Sequence, residues 1–390
     1  MVHMGRYTAA LLLIATGAAL VFDQMSGTQY MRTLVEWWPA VLIVLGVEVI
    51  LLSLIYRNQP DKLHFSFGSV FGAAAIAFVV MLMTGFGTGN MDTLNWRFWE
   101  QAWNRVERPV EYVQPGAQTE LIRVKNRNGK VLLQSGDTDQ VALQSTIVYS
   151  GLLSQHEARA VEDESRLEIR DDGRTLEIEA VGKRYRRFFW TTEARMDVII
   201  TVPRDRLFDY ELELANGDID IRSLELLERM SVRTSNGDID IYDIAGDVRA
   251  VTKNGNIHIG RMYSQVEAET SNGDVWITDV RGPAEVRTKN GDVEARDIYS
   301  SFIAETSNGD IIVSSPIVGG NWKFLSKNGD LELEVPETGD YRIRGRGDIK
   351  TSIPWLNKKR KSVEGEIGSG LHVIEAETKN GDLEIDLIQK

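Results

Sequence analysis

The sequence predicts three transmembrane α-helices followed by an all-β repeat domain, and two observations support this fold class. Residues 1–90 contain long apolar segments and have no net charge, whereas the rest of the chain has the whole net charge of −13. In that charged part, a short word built on Asn-Gly-Asp returns every 18 or 20 residues. A fixed period this short is typical of repeat architectures. We expect a β-solenoid with about 18 residues per coil, with an antiparallel β-meander as the alternative.

Apolar segments at 7–22, 37–56 and 63–91 predict the membrane spans. A bilayer core takes about 20 apolar residues of helix, so the second and third segments are long enough and the first is marginal. A signal peptide is the alternative for the first segment, because Arg6 precedes its apolar run. The predicted domains are a three-span transmembrane domain at 1–92, an interfacial aromatic helix or linker at 93–106, an irregular β region that begins and caps the solenoid at 107–205, and a regular β-solenoid at 206–390.

Basic residues that flank the spans predict the topology. A cytoplasmic N-terminus places Arg6, Arg57 and Lys62 inside and Arg32 outside, in accord with the excess of Lys and Arg in cytoplasmic loops. The predicted location is therefore the bacterial cell membrane, as a multi-pass protein with an extracytoplasmic C-terminal domain.

Three residues within the apolar segments are candidates for a specific role. Gly68 and Gly72 form a G-x-x-x-G pattern that favours close helix packing in lipid. Glu48 lies near the middle of the second span, where a carboxylate is costly and often functional. The alternative for Glu48 is a protonated side chain that bonds to a neighbouring hydroxyl or backbone group.

Three tryptophans follow the last span at helical spacing, namely Trp96, Trp99 and Trp103. Tryptophan prefers the headgroup region of a bilayer, which predicts a short interfacial helix. An apolar cap under the soluble part of the chain is the alternative.

The repeated word contains Asn at positions 216, 236, 254, 272, 290, 308, 328 and 380, and Arg346-Gly-Asp-Ile is a degenerate copy that continues the series 18 residues after Asn328. Asn-Gly supplies the positive φ angles of tight corners. Alternating apolar residues on both sides of it predict strands with one buried face. The solenoid is favoured because it places Arg287 between Glu269 and Glu305 of the adjacent coils, which avoids like-charge stacking.

The Asp of the word could indicate calcium binding. Calcium-binding β-rolls use a denser, glycine-rich nonapeptide, whereas this Asp occurs once per coil and Asn256 replaces it once. Capping of the turn through its own backbone is the favoured interpretation.

Two basic-aromatic loops interrupt the acidic domain, and they contain Lys183, Arg184, Arg186, Arg187, Trp190, Trp355, Lys358, Lys359, Arg360 and Lys361. Clustered Lys and Arg near anionic lipid contribute about 1 kcal/mol each. The loops therefore predict contact with anionic lipid, an anionic wall polymer or an acidic partner. Solvated loops, or caps whose aromatic residues cover a solenoid end, are the alternative.

Composition excludes several classes of protein. No cysteine is present, which excludes disulfides, thiolate metal sites and a cysteine nucleophile. The acidic domain argues against broad nucleic-acid binding. No nucleophile–base pair, phosphate loop or metal-ligand cluster is visible in the sequence. We therefore expect neither an enzyme nor a cofactor.

The chain resembles two bacterial families. Residues 7–56, with Trp37-Trp-Pro-Ala-Val-Leu-Ile-Val-Leu-Gly46, resemble the LiaI–LiaF-like transmembrane region of envelope-stress proteins. Residues from about 120 to 390 resemble the putative-adhesin β-strand-repeat family, through Ile200-Thr-Val-Pro203 and the serial Asn-Gly-Asp words. The resemblance implies a cell-envelope protein tied to sensing wall or membrane damage, and it supplies no catalytic residues.

These observations predict a membrane-anchored binding or sensory module of the envelope stress response. Its expected partners are the bilayer, anionic lipid or wall polymer, and a membrane signalling protein, with a homo-oligomer as a further option. A structural or adhesive surface protein without a signalling role is the alternative function.

Overall fold

The computed structural model describes residues 2–4, 8–11, 13, 14, 43, 44, 46–48, 50, 51, 54 and 63–65 of the N-terminal part and residues 103–150, 153–187 and 190–388 of the C-terminal part. The chain divides into two compact units, Met1–Glu100 and Gln101–Lys390. In the first unit, strand β1 (Val2–Met4) pairs in parallel with strand β2 (Leu63–Phe65). The other described residues of this unit are helical.

The prediction of three transmembrane helices is wrong. Within the described residues, no helix has both the length and the apolar character needed to cross a membrane. The first residues of the third predicted span form β2 instead of a helix. An apolar run indicates that a segment avoids water, but periodicity alone does not separate a buried strand from a buried helix. Most of the predicted spans at 7–22, 37–56 and 63–91 lie outside the described residues.

The second unit is a β-solenoid preceded by irregular strands and one helix, Gln155–Glu164. Its strands are β3 (Trp103–Glu107), β4 (Glu111–Val113), β5 (Leu121–Asn128), β6 (Val131–Gly136), β7 (Val141–Ser150), β8 (Arg166–Asp171), β9 (Thr175–Val181), β10 (Arg184–Arg187), β11 (Trp190–Glu193), β12 (Arg195–Pro203), β13 (Phe208–Asn216), β14 (Ile219–Arg233), β15 (Ile239–Asn254), β16 (Ile257–Met262), β17 (Val266–Asn272), β18 (Val275–Val280), β19 (Ala284–Asn290), β20 (Val293–Ile298), β21 (Phe302–Asn308), β22 (Ile311–Ser314), β23 (Trp322–Asn328), β24 (Leu331–Val335), β25 (Tyr341–Thr351), β26 (Asn357–Lys359), β27 (Ser362–Ile367) and β28 (His372–Leu387).

Each regular coil has one strand before an Asn-Gly corner and one strand after it. Equivalent strands of successive coils pair in parallel and in register, as β17 does with β19 and β18 with β20. In a meander, neighbouring strands would be antiparallel. The solenoid prediction is therefore confirmed, and Glu269, Arg287 and Glu305 are direct neighbours in one row.

The core lies between the strands that precede the Asn-Gly corners and the strands that follow them. Alternate residues of each strand point inward and are buried, as are Val266 and Ala268 of β17 and Val275 and Ile277 of β18. The core becomes more aromatic towards the C-terminal coils, where the rings of Phe302 and Phe324 pack edge to face with centroids 5.4 Å apart. The alternation of inward and outward positions along each strand explains why polar residues occupy every second position.

Strand order departs from chain order at the C-terminal end of the stack. Strand β28 pairs with β23 and β24 on one side and with β25 on the other. The expectation that Arg346 continues the series after Asn328 is therefore wrong, because Asn380 occupies that layer. Strand β27 pairs antiparallel to β25 and covers the outer edge of its first half.

The N-terminal end of the stack is built by the irregular strands. Strands β5 and β6 form a layer below β13 and β14. Strands β9 and β12 lie beneath that layer, where they pair in parallel with β5 and β6. Strands β8 and β7 then pair antiparallel to β9 and β12, and β3 and β4 pair with β7. Antiparallel strands therefore cover this end of the parallel stack, which protects an edge that could recruit other chains.

Candidate functional site

The Asn-Gly corner requires glycine for two reasons. In Gly291 the φ angle is +152°, a region that side chains rarely adopt. A Cβ atom at this position would lie 2.0 Å from the carbonyl oxygen of Gly273 in the preceding coil. The same arrangement recurs at the neighbouring corners, so the coils stack with their backbones in contact at this edge.

A ladder of asparagine side chains runs along the corners. The Nδ2 group of Asn272 donates to Oδ1 of Asn254 at 2.8 Å, and Asn290 donates to Asn272 at the same distance. The ladder runs from Asn128 to Asn380. Because each amide both donates and accepts, the ladder joins successive coils and stabilises their register.

Two further ladders flank the asparagines. The buried hydroxyl of Thr270 donates to the carbonyl oxygen of Gly255 at 3.0 Å. On the other side, the backbone N–H of Asp292 donates to Oδ1 of Asp274 at 2.8 Å. The Asp of each word thus caps the next coil instead of its own turn.

The hydrogen bond from the next coil's backbone to the Asp side chain accounts for the repeated Asp, and no bound cation is needed to explain it. Burial raises the pKa of Asp218, but hydrogen bonds from Lys130 and from the Asp238 amide outweigh that effect and lower it overall. Among the described residues, no group of three or more His, Asp or Glu side chains could hold a metal ion.

The outer face of the strands before the corner is a network of ion pairs. Arg123 lies 2.7 Å from Glu211, and Arg287 lies 3.6 Å from Glu305. The hydrogen bond from Arg123 to Glu211 raises the pKa of the guanidinium. Arginines and lysines of these rows lie beside carboxylates of the same or the adjacent coil, so many cations of this face are already paired.

The outer face of the strands after the corner contains a different row. The rings of His258 and Trp276 stack at 4.5 Å with nearly parallel planes. His258 Nδ1 lies 3.0 Å from Asp240, and Trp276 Nε1 donates to Glu294 at 3.2 Å. Desolvation raises the pKa of Asp240, and His258 partly opposes this. The two rings stack across adjacent coils and a nitrogen of each has a carboxylate partner in a neighbouring coil, so the pair stabilises the stacking of coils.

The first basic loop is the β10–β11 hairpin. It replaces the Asn-Gly corner in the layer formed by β9 and β12, and it pairs Arg187 with Trp190 and Arg186 with Thr191. Lys183 forms an ion pair with Glu164, and Arg184 lies 3.4 Å from Glu193. The side chains of Arg186, Arg187 and Trp190 lie outside the described residues.

The second basic loop forms part of the cap at the other end of the stack. Trp355 packs edge to face on Tyr341 with ring centroids 6.3 Å apart, and Leu356 is buried. Burial raises the pKa of Tyr341 to about 12. The aromatic residue of this loop therefore covers the solenoid end, as the alternative interpretation expected, while its cations face solvent.

Four consecutive cations of this loop are exposed, namely Lys358, Lys359, Arg360 and Lys361. Lys361 lies 3.8 Å from Asp348, which is itself largely exposed. The other three form no ion pair with any residue in the described part of the chain. Beside them, a groove of about 680 Å³ is lined by Lys323, Arg344, Arg346 and Lys359 together with Glu364, Glu375 and Glu377.

The two basic loops lie at opposite ends of the stack. In the row that begins at Glu179 and ends at Arg346, ten strand pairings separate the first layer from the last. At about 4.8 Å per strand, this row is about 48 Å long. The loops therefore cannot form one site within a single solenoid.

The remaining candidate residues lie in or near the N-terminal unit. The carboxylate of Glu48 is buried and accepts from the Thr8 backbone amide at 2.7 Å and the Thr8 hydroxyl at 2.5 Å. This is the bonding that the alternative interpretation of Glu48 expected. Gly68, Gly72, Trp96 and Trp99 lie outside the described residues, so their roles stay predictions. Trp103 begins strand β3 and does not belong to a helix.

Sequence reasoning missed two features of these sites. Asn128-Gly129 is an early copy of the corner, and residues 130–215 separate it from the next copy. The signal in the sequence that could have revealed this copy is its Asn-Gly pair, which an alternating apolar run follows. The groove cations Arg344 and Arg346 were also missed, because they meet Lys359 only through the β25–β27 pairing.

Comparison with known proteins assigns the chain to a family. The profile of Toastrack DUF4097 matches residues 119–386, which is more than half of the chain. The chain belongs to the Toastrack DUF4097 family. Residues 7–50 match the LiaI-LiaF-like transmembrane region, which associates the Toastrack chain with a membrane. Both resemblances expected from the sequence are confirmed.

Solved structures with some similarity to this Toastrack chain are bacterial. A putative adhesin from Bacteroides fragilis is 14% identical, with 73% of this chain and 97% of that chain covered and a TM-score of 0.36. A putative cell adhesion protein from Clostridium sporogenes is 12% identical, with 73% and 100% covered and a TM-score of 0.23. A putative adhesin from Parabacteroides distasonis is 12% identical, with 73% and 97% covered and a TM-score of 0.34. No curated protein matches the chain significantly.

Proposed function

We propose that this Toastrack chain is a non-enzymatic, membrane-associated binding module of the bacterial envelope that holds an anionic wall polymer at the C-terminal end of its solenoid. The observation that carries the proposal is the exposed cluster Lys358, Lys359 and Arg360, which has no carboxylate partner among the described residues. By contrast, Arg123 and Arg287 on the outer face of the strands before the corner are paired with carboxylates.

The chemistry of the cluster favours a phosphate-rich polymer. Ammonium and guanidinium groups form charge-assisted hydrogen bonds with phosphate oxygens. The adjoining groove adds Arg346, together with Lys323 and Arg344, which lie 3.6 Å from Glu305 and 3.5 Å from Glu364, so a chain molecule could contact several cations at once. The carboxylates of the same groove limit the affinity for any single phosphate, which favours a multivalent ligand.

Binding of poly(glycerol phosphate) to the full chain in nanodiscs of zwitterionic lipid tests the site. The variant combines Lys358→Gln, Lys359→Gln and Arg360→Gln. Removing three cations at about 1 kcal/mol each lowers the affinity by more than about tenfold. The matched control combines Arg170→Gln, Arg222→Gln and Arg296→Gln, three exposed cations that are already ion-paired. Equal affinity of the two variants for the polymer would contradict the proposed binding site.

The proposed location of the solenoid is outside the cytoplasm. The membrane association of residues 7–50 supports it. Protease added to intact cells should digest the solenoid. Protection until the cells are opened would place the domain, and its ligand, in the cytoplasm.

A sensory role in envelope stress is a further part of this proposal, with a membrane signalling protein as the partner. An adhesive or structural role is the alternative. Exchanging residues 1–100 for an unrelated membrane anchor separates them, because adhesion would survive the exchange and a stress response that depends on a membrane partner would not.

A further inference from the structure

Between the end of one coil and the start of the next, the chain makes a second bend, and one column of side chains lines this bend. Each member of the column directly follows a residue that pairs in register with its counterpart in the adjacent coil. In four successive coils the column consists of Ala245, Tyr263, Arg281 and Tyr299. Both tyrosines are exposed. Ala245 is therefore the one small member of these four.

The Tyr263 ring has one covered face. The guanidinium of Arg281, in the following coil, lies over this face at 5.1 Å from the ring centroid. The opposite face points toward the coil of Ala245, whose methyl group is too small to cover an aromatic ring. A groove of about 450 Å³ opens here, with Tyr263 and Ala245 in its walls. The groove therefore has an aromatic ring as a platform at one side.

Hydroxyl and carboxylate oxygens line the same groove. The hydroxyl of Ser135 donates to the carbonyl oxygen of Ser223 at 2.6 Å, and the hydroxyl of Ser223 donates to Asp243 at 3.0 Å. Both hydroxyl protons are used within the protein, which leaves lone pairs of the two serine oxygens to accept hydrogen bonds. The groove thus offers acceptors to a ligand that has hydroxyl groups.

The charged groups of the groove balance one another. Two carboxylates, Glu225 and Asp243, and two guanidinium groups, Arg204 and Arg206, line it. Arg206 is held by backbone carbonyl oxygens, and Arg204 lies 3.3 Å from the exposed Asp137. An anionic ligand would meet the carboxylates and a cationic ligand would meet Arg204. An uncharged ligand with several hydroxyl groups fits this set of side chains best.

We infer that the groove binds an uncharged pyranose unit of a saccharide. A pyranose has a face of C–H groups that packs on the negative face of an aromatic ring, here Tyr263. Its hydroxyl groups both donate and accept, which matches the serine oxygens, the carboxylates and the guanidinium groups around it. A groove of about 450 Å³ is large enough for a small-molecule site. This inference goes beyond the polymer site and does not depend on it, because the two sites share no residue.

Calorimetric titration of the full chain in zwitterionic nanodiscs tests the site with four uncharged probes, namely glucose, N-acetylglucosamine, cellotetraose and chitotetraose. At least one probe should bind. Tighter binding of a tetrasaccharide than of its monosaccharide would identify a glycan strand as the source of the pyranose, and equal affinities would identify a free sugar. Absence of binding by all four probes at millimolar concentration would overturn the inference.

Two variants should lower the affinity for the bound probe at least about fivefold, because both remove the contact with the aromatic ring. Tyr263→Ala deletes the ring. Ala245→Tyr covers its free face with the side chain that the same column already contains at positions 263 and 299, so the coil should fold as before.

Tyr299→Ala is the matched control, since Tyr299 is an exposed tyrosine of the same column that does not line the groove. Its affinity for the probe should be unchanged. Full affinity in Ala245→Tyr, or a loss in Tyr299→Ala as large as in Tyr263→Ala, would overturn the assignment of the pyranose to this groove.

Discussion

At the scale of single residues, the corner glycines are under the tightest constraint. Gly291→Ala adds a side chain at a φ of +152° and places its Cβ 2.0 Å from a backbone oxygen. We expect it to lower the free energy of unfolding by about 3 kcal/mol or more, as measured by chemical denaturation followed by circular dichroism.

Gly173→Ala separates the two causes of that loss. Gly173 has a φ of +93°, but no atom lies within 4 Å of the place that a Cβ would occupy. The substitution should cost only about 1 kcal/mol, the penalty for a positive φ alone. Equal losses at both positions would show that close stacking of backbones does not matter at the corner.

Glu332 gives a residue-scale prediction of pH dependence. Desolvation and repulsion from Glu384, Asp310, Asp330 and Glu334 raise its pKa above the ordinary value of 4.5. A carboxyl whose pKa is raised by folding binds its proton more tightly in the folded state, so its ionisation destabilises the fold as pH rises.

Glu332→Gln should therefore stabilise the protein by about 0.5 kcal/mol at neutral pH. The gain should shrink as the pH falls through the raised pKa and vanish below 4.5. Thermal unfolding over a pH series measures it, with Glu337→Gln at an exposed turn as the control that changes nothing. A gain that persists at low pH would rule out the repulsion.

The difference between what the sequence predicts and what it does not is visible at individual asparagines. Asn216 to Asn328 recur at nearly constant steps, so the pattern of corners and buried positions could be predicted directly. Arg346 kept the spacing but lacks the amide that the ladder requires, and Asn380 supplies it from 52 residues beyond Asn328. The basic hairpin could be recognised by composition, but its place at one end depends on pairings between distant segments, which spacing does not encode.

At the scale of elements, one coil is the unit that can be removed. Deleting residues 273–290 joins Asn272 to Gly291 and removes one full layer while each neighbouring row keeps its register. Repeat proteins are stabilised mainly by contacts between adjacent repeats. We expect this variant to fold, with a β-sheet circular dichroism spectrum and protease resistance close to those of the parent chain.

Deleting half a coil is the matched control. Removal of residues 273–281 would exchange the strands before and after the corner beyond the cut, so Asn290 would fall at the position of Arg281 and the asparagine ladder would be interrupted. This shorter deletion should fail to fold, although it removes fewer residues. Similar behaviour of the two deletions would contradict the in-register stacking.

At the scale of the whole molecule, the order of layers can be measured. Spin labels at Glu179→Cys and Arg346→Cys lie at the ends of one row of ten strand pairings, which predicts about 48 Å between their backbones by pulsed electron paramagnetic resonance. Stacking in strict chain order would place β25 directly on β23 and shorten the distance by about 5 Å.

The deletion of residues 273–290 provides the internal standard for this distance. It should shorten the same separation by one strand spacing, about 4.8 Å. An unchanged distance in the deletion variant would mean that the labelled ends are not joined by a continuous stack.

The inverted order of the last layers has a consequence for synthesis of the chain. Strands β25–β27 leave the ribosome before β28, yet β28 is the layer on which β25 rests. Strands β25 and β27 therefore lack the layer on which they pack until β28 has been synthesised and has inserted between β25 and the earlier coils. Completion of this end is thus a late, long-range step in which the earlier coils serve as a template, and a stalled ribosome at this stage would expose the open edges of β23 and β24 to other nascent chains.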